Sequence, residues 1–372
     1  MHETPTFGSR RRVFPALAAA ALLLAAALPA AAAVETRVVT RAFPAGSEPF
    51  RLANLAGRVR LVNTSADEIR VKATAHAEGR DAAETRALLD QVDFVRDPER
   101  RGGWAIAYPV DLHTTYRYAE GDSFGWFGSH TTTKYLGRRV SIRGTARGSA
   151  PTLWVDLEIA FPARPGLDLD QAVGKVTGGD LYGDVRIDTG SGDVELGAFN
   201  GRLVVDTGSG DIELAALRGE GNLDTGSGDV LVRGVDAEEL VADTGSGKVT
   251  VRGGRVGELT IDTGSGDVEV LEVAVGTADL DTGSGDIRLV GSLADASSIR
   301  ADTGSGDVEI YGGPDASFTV DADQGSGDLR IGYADATLHR DGRKVVGAER
   351  GDGRTRIVID TGSGDAVVAP AR

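Results

Sequence analysis

The reading turns on Leu203-Val204-Val205-Asp206-Thr207-Gly208-Ser209-Gly210-Asp211-Ile212-Glu213-Leu214. Leu203, Val205 and Thr207 alternate with Val204 and Asp206. Beyond the glycines, Ile212 and Leu214 alternate with Asp211 and Glu213. A period of two is that of a β-strand with one buried face. Gly208 and Gly210 are expected to turn the chain between two such strands, because glycine reaches positive φ without a Cβ clash. Asp206 is expected to close the turn by accepting from nearby backbone N–H groups. Thr207 is expected to stack on the same residue of neighbouring copies.

Copies of this stretch fill the second half of the chain. The string Asp-Thr-Gly-Ser-Gly begins at Asp188, Asp206, Asp224, Asp243, Asp262, Asp281, Asp302 and Asp360, and a variant with Gln begins at Asp323. A fixed period near 20 residues marks a repeat architecture. The alternation recurs with the string, as in Leu259, Ile261, Val268 and Val270, or Phe318, Val320, Leu329 and Ile331. The apolar side chains of one copy are too few to offset the ordering of its own backbone, so the copies must stack. The expected fold is therefore all-β: a parallel β-solenoid, or β-helix, of roughly 18–21-residue coils. About ten coils at a strand spacing of about 4.8 Å would make a rod about 50 Å long. The turn glycines are Gly190, Gly192, Gly208, Gly210, Gly264 and Gly266. A long antiparallel meander would show the same alternation, but the constant phase of the copies favours coils.

Outward from the repeat, the chain divides into three stretches. Residues 1–33 read as a signal peptide: Arg10, Arg11 and Arg12 precede an apolar run from Val13 to Leu28, and Ala30 to Ala33 supply small residues for cleavage. The alternative is an uncleaved anchor. Residues 34–165 read as strands, a helix over Asp81–Val92 with Asp81 as N-cap, and an aromatic-rich insertion, together capping the solenoid. Residues 166–372 read as the solenoid, with a hairpin insertion near 333–356 turning at Arg340-Asp341-Gly342-Arg343.

The recurrent Asp-Thr-Gly-Ser-Gly-Asp-Val strings, the entry segment Val155-Asp156-Leu157-Glu158-Ile159 leading to Pro162, and the early pair Arg58–Asn63 and Ile69–Ala73 resemble the DUF4097 family, grouped with adhesins. They are also similar to the head domain of autotransporter adhesins. The resemblance implies a β-solenoid at the cell surface or envelope and implies no catalytic residues. The stretch from Asp81 to Arg147 departs from the plain repeat.

Composition narrows the chemistry. The 372 residues carry a formal net charge of −16, which speaks against a nucleic-acid partner. There is no Cys, so disulfides, thiolate metal sites, cysteine nucleophiles and a lipidated N-terminal Cys are excluded. The His residues, among them His113 and His130, lack metal-ligand spacing. Asp-Thr-Gly-Ser is also the aspartic-protease string, but that chemistry needs two such loops facing each other, whereas stacked coils would set these Asp residues in a ladder.

The expected function is non-catalytic: an adhesin or scaffold, exported to the periplasm, outer surface or medium, without a cofactor and without a membrane span once the signal is removed. Its partner would be an envelope or surface ligand, a glycan or a protein. Glycan rings could stack on Trp126, Phe127, Tyr118 or Tyr116. Calcium could bind the paired turn carboxylates Asp188 and Asp193, Asp206 and Asp211, or Asp262 and Asp267, although such β-rolls repeat every nine residues. A polysaccharide-acting solenoid enzyme is the remaining alternative.

Overall fold

A computed structural model describes residues 34–119, 130–144 and 150–371. The expected signal peptide, Trp126 and Phe127 lie outside the described residues. The chain is nearly all β, with a single α-helix among the described residues.

The repeats form a β-solenoid. Asp188 lies beside Asp206 in a parallel ladder, Asp206 beside Asp224, and the pairing continues in register through Asp243, Asp262, Asp281 and Asp302. One residue earlier, Ile187, Val205, Leu223, Ala242, Ile261, Leu280 and Ala301 form a buried column. Past the glycine corner a second column runs through Val194, Ile212, Val230, Val249, Val268, Ile287 and Val308. These are the inward positions of the alternation, and identical copies bury them by lying over one another.

The glycine corners are tight for a reason other than the one expected. Of Gly190, Gly192, Gly208, Gly210, Gly264 and Gly266, only Gly192 lies at positive φ (153°). What the corner requires is the absence of a side chain. A Cβ on Gly266 would sit 1.8 Å from the carbonyl oxygen of Gly247 in the preceding coil, and one on Gly210 would sit 2.3 Å from that of Gly192. In-register coils aim each corner carbonyl along the rod at the corner above, so only glycine fits.

At the C-terminal end, space and sequence part company. The copy at Asp360 stacks directly on Asp302, and the earlier copy at Asp323 stacks outside it. After the strand Val308–Gly312 the chain skips a level and lays down Phe318–Asp323. It then makes the hairpin of Thr337–Asp341 with Lys344–Arg350 and returns to fill the gap with Thr355–Thr361 and Ala366–Pro370. The last strands are thus paired on both edges.

At the other end, β1 (Glu35–Pro44), β2 (Phe50–Ala56), β3 (Val59–Asn63) and β4 (Glu68–Glu78) precede helix α1 (Ala82–Asp90). β2 and β3 continue the parallel columns, pairing with Leu167–Val173 and Val176–Gly178. β4 runs antiparallel to both β1 and the strand Thr152–Phe161. Asp81 caps α1 by accepting from the Glu84 N–H at 2.8 Å. Arg37 of β1 donates to the Leu89 and Val92 carbonyls at the opposite end of the helix, at 2.8 and 2.7 Å.

Candidate functional site

The described tyrosines of the aromatic segment face inward. Tyr116 and Tyr118 are buried, so neither offers a ring face to a sugar. The strand Thr115–Arg117 lies between Arg138–Arg143 and Thr152, with Tyr116 on its buried side. Tyr108 meets Tyr116 edge to face at 5.5 Å and Tyr135 at 5.8 Å. The Tyr108 hydroxyl donates to the Ala56 carbonyl at 3.0 Å and lies 3.3 Å from Asn54 Oδ1. The Tyr135 hydroxyl donates to the Ile106 carbonyl at 2.6 Å. Burial pushes the Tyr108, Tyr116 and Tyr135 phenols above their ordinary range. Nearby, Trp154 stacks on His76 at 4.8 Å, and His76 Nε2 lies 3.1 Å from Asp156.

Asn54 opens a buried polar column that runs the length of the rod. It aligns with Gln171, then with Thr189, Thr207, Thr225, Thr244, Thr263, Thr282, Thr303 and Thr361. Each central Thr does two jobs. Thr244 Oγ1 accepts from the Gly247 N–H of its own corner and donates to the Gly228 carbonyl of the coil before, both at 3.0 Å. Thr225, Thr263, Thr282 and Thr303 repeat the pattern. The hydroxyl therefore closes the corner, the role expected of the first Asp. An Asp side chain bonded to its own turn is found at Asp323, which accepts from Gly325 at 3.3 Å.

The second Asp of each copy reaches across coils. Asp193 Oδ1 accepts from the Asp211 N–H, Asp211 from Asp229, and Asp267 from Asp286, at 2.9–3.2 Å. The chain continues through Asp307 and Asp365 to Asp328, in the spatial order of the coils. Where Lys248 replaces Asp, its N–H still donates to Asp229, but its own side chain pairs with Glu269 instead.

The first Asp column is a true ladder of carboxylates and extends beyond the repeat to Asp170, which lies beside Asp188. Burial, followed by neighbouring Asp residues, raises the carboxyls of Asp188, Asp224, Asp243 and Asp281. At Asp170 burial pushes the value to about 6, although Arg100 opposes this at 2.5 Å. The carboxylates of Asp206 and Asp262 stand in the same ladder. They run along the rod, not across a cleft, so they do not form the facing pair of an aspartic protease. Among the described residues no three His, Asp or Glu side chains converge as a metal cage.

The outer face also carries a shallow groove of about 650 Å³ near the C-terminal coils, lined by Arg288, Val290, Tyr311, Val367 and Pro370. Arg288 lies 5.1 Å over the Tyr311 ring and pairs with Glu309. Tyr311 was not singled out in the sequence. The available signal was an aromatic residue in an outer column whose other members are Arg252, Leu271, Val290 and Ala369.

Three solved structures share the general likeness. One, a "putative lipid binding protein" of Parabacteroides distasonis, is 11% identical with a TM-score of 0.40, over 89% of this chain and 96% of its own. A "putative adhesin" of the same organism gives 11% and 0.40, over 89% and 97%. A "putative adhesin" of Bacteroides fragilis gives 11% and 0.33, also over 89% and 97%. No curated protein matches the chain. The family model described as Toastrack DUF4097 matches residues 175–369, the region of stacked Asp, Thr and Gly columns. The chain belongs to the Toastrack DUF4097 family.

Proposed function

We propose that the protein is an exported, non-catalytic scaffold of the cell envelope or surface, an adhesin-like rod that holds an envelope or surface ligand on its outer face. Residues 1–33 would direct export, and residues 34–165 would close one end of a rod built from 18–21-residue coils. The observation that carries the reading is the translational repetition of the outer face. Where side chains repeat from coil to coil, the surface suits an extended or multivalent partner better than a single small substrate. Charge sharpens this. Residues 166–372 hold 39 Asp and Glu against 18 Lys and Arg, while residues 34–165 hold 16 against 19. The rod therefore repels polyanions and favours a ligand that tolerates or complements carboxylates.

The test is fractionation of the native cell with N-terminal sequencing, followed by capture of envelope material on the purified protein. The expected result is a chain in the envelope or medium that begins near Val34 and retains a glycan or protein component. A cytoplasmic chain that keeps Met1 would end the proposal.

A further inference from the structure

β1 is a ten-residue strand that pairs with β4 on one side and with no described strand on the other. An open edge of this length is normally blunted by charge, proline or cover. Here Pro44 stands only at the strand's end, and the charged residues Glu35, Arg37 and Arg41 share the face of Val39 and Phe43. On that face Arg37 and Arg41 donate to the Leu89, Val92 and Phe94 carbonyls, so the opposite face carries no charge. One face of the segment presents Val34, Thr36, Val38, Thr40 and Ala42. Val34 and Val38 are 43% and 54% exposed, two of the five large exposed apolar side chains among the described residues.

We infer that this edge is an interface between two copies of the chain, joined by antiparallel β1–β1 pairing about a two-fold axis at Val38. The register follows from geometry, charge and the length of strand engaged: a two-fold at Thr36 pairs only residues 34–38, and one at Thr40 leaves Val34 uncovered. A strand directs the N–H and C=O groups of alternate residues to each side, so an antiparallel self-pair joins residues whose numbers sum to an even value. A two-fold at Arg37 sets Arg37 against Arg37, and one at Val39 sets Arg37 against Arg41. Both juxtapose like charges. A two-fold at Val38 sets Glu35 against Arg41 twice, Thr36 against Thr40 twice, Val34 against Ala42 twice, and Val38 against itself. That register uses nine residues and covers both exposed valines. A closed two-fold also leaves no further edge of this kind to propagate.

The absence of cysteine makes the test direct. In the exported protein, Val38→Cys is expected to cross-link into a dimer on mild oxidation, because directly opposed residues of an antiparallel pair lie about 4.5–5.5 Å apart at Cα. Leu338→Cys, on the open strand Thr337–Asp341 at the other end, is the control and is expected to stay monomeric. By sedimentation, Glu35→Arg or Arg41→Glu alone is expected to weaken the dimer about tenfold, and the double swap is expected to restore it, since the symmetric pairs are then complementary again. Rescue by the double swap separates the interface from a folding defect. A chain that stays monomeric at about 100 μM overturns the inference; that is far above the dissociation constant of about 10 μM expected of a short edge contact. A dimer indifferent to both single swaps overturns it equally, as does cross-linking of the Leu338→Cys variant without cross-linking of Val38→Cys.

Discussion

At the scale of the residue, the corner of each coil is held by what it lacks as much as by what it carries. A methyl group on Gly228 would sit 1.9 Å from the Gly210 carbonyl, with the coils above and below in register. Gly228→Ala is expected to cost about 3 kcal/mol in a urea melt, as an overpacked site whose neighbours are backbone. Gly179→Ala, where a Cβ meets nothing within 4 Å, is expected to change little. Thr244→Val keeps the shape but leaves the Gly247 N–H and Gly228 carbonyl unpaired in a buried site, and about 1–3 kcal/mol should be lost in the same measurement. The sequence showed that Gly, Thr and Asp were needed at the corner, because all three recur at fixed offsets. It did not show which did what: closing the turn by Asp or by Thr leaves the same string.

At the scale of the element, each ladder turns a local substitution into a property of the whole row. The fold holds the Asp170 proton to about pH 6, whereas the unfolded chain releases it near about 3.9. The native state therefore binds more protons than the unfolded state between these values. Stability should rise as pH falls from above 6 toward 4, and should fall again as pH rises through 6. The raised carboxyls of Asp188, Asp224, Asp243 and Asp281 act in the same direction. Urea midpoints at pH 7 and pH 5 should differ in favour of pH 5. In Asp170→Asn that difference should shrink by about 1 kcal/mol, once partial exposure is allowed for. The strands and their inward faces were readable from alternation alone, as Leu203, Val205, Ile212 and Leu214 show. The tyrosines of the insertion were not, since an aromatic residue suits a buried cap and a sugar platform equally until its neighbours are known.

At the scale of the molecule, the repeat predicted a stack but could not predict its order. Every slot accepts the same string, so nothing in Asp-Thr-Gly-Ser-Gly at Asp360 shows that it sits inside the copy at Asp323. The arrangement has a measurable signature. Chain termini ordinarily fray, yet the amides of Ile357 to Ile359 are flanked by strands on both sides. Hydrogen exchange should protect them as strongly as Leu259 to Ile261 in the middle of the rod, while Leu338 to Arg340 exchanges fast. The same topology bears on how the protein comes into being. A chain made from its N-terminus could wind most of these turns as they emerge, but the turn at Asp360 belongs beneath the one at Asp323, already delivered. The turn at Asp323 therefore keeps an unsealed inner edge until the segment around Asp360 slips in beside it, so this region cannot wind in the order of its sequence.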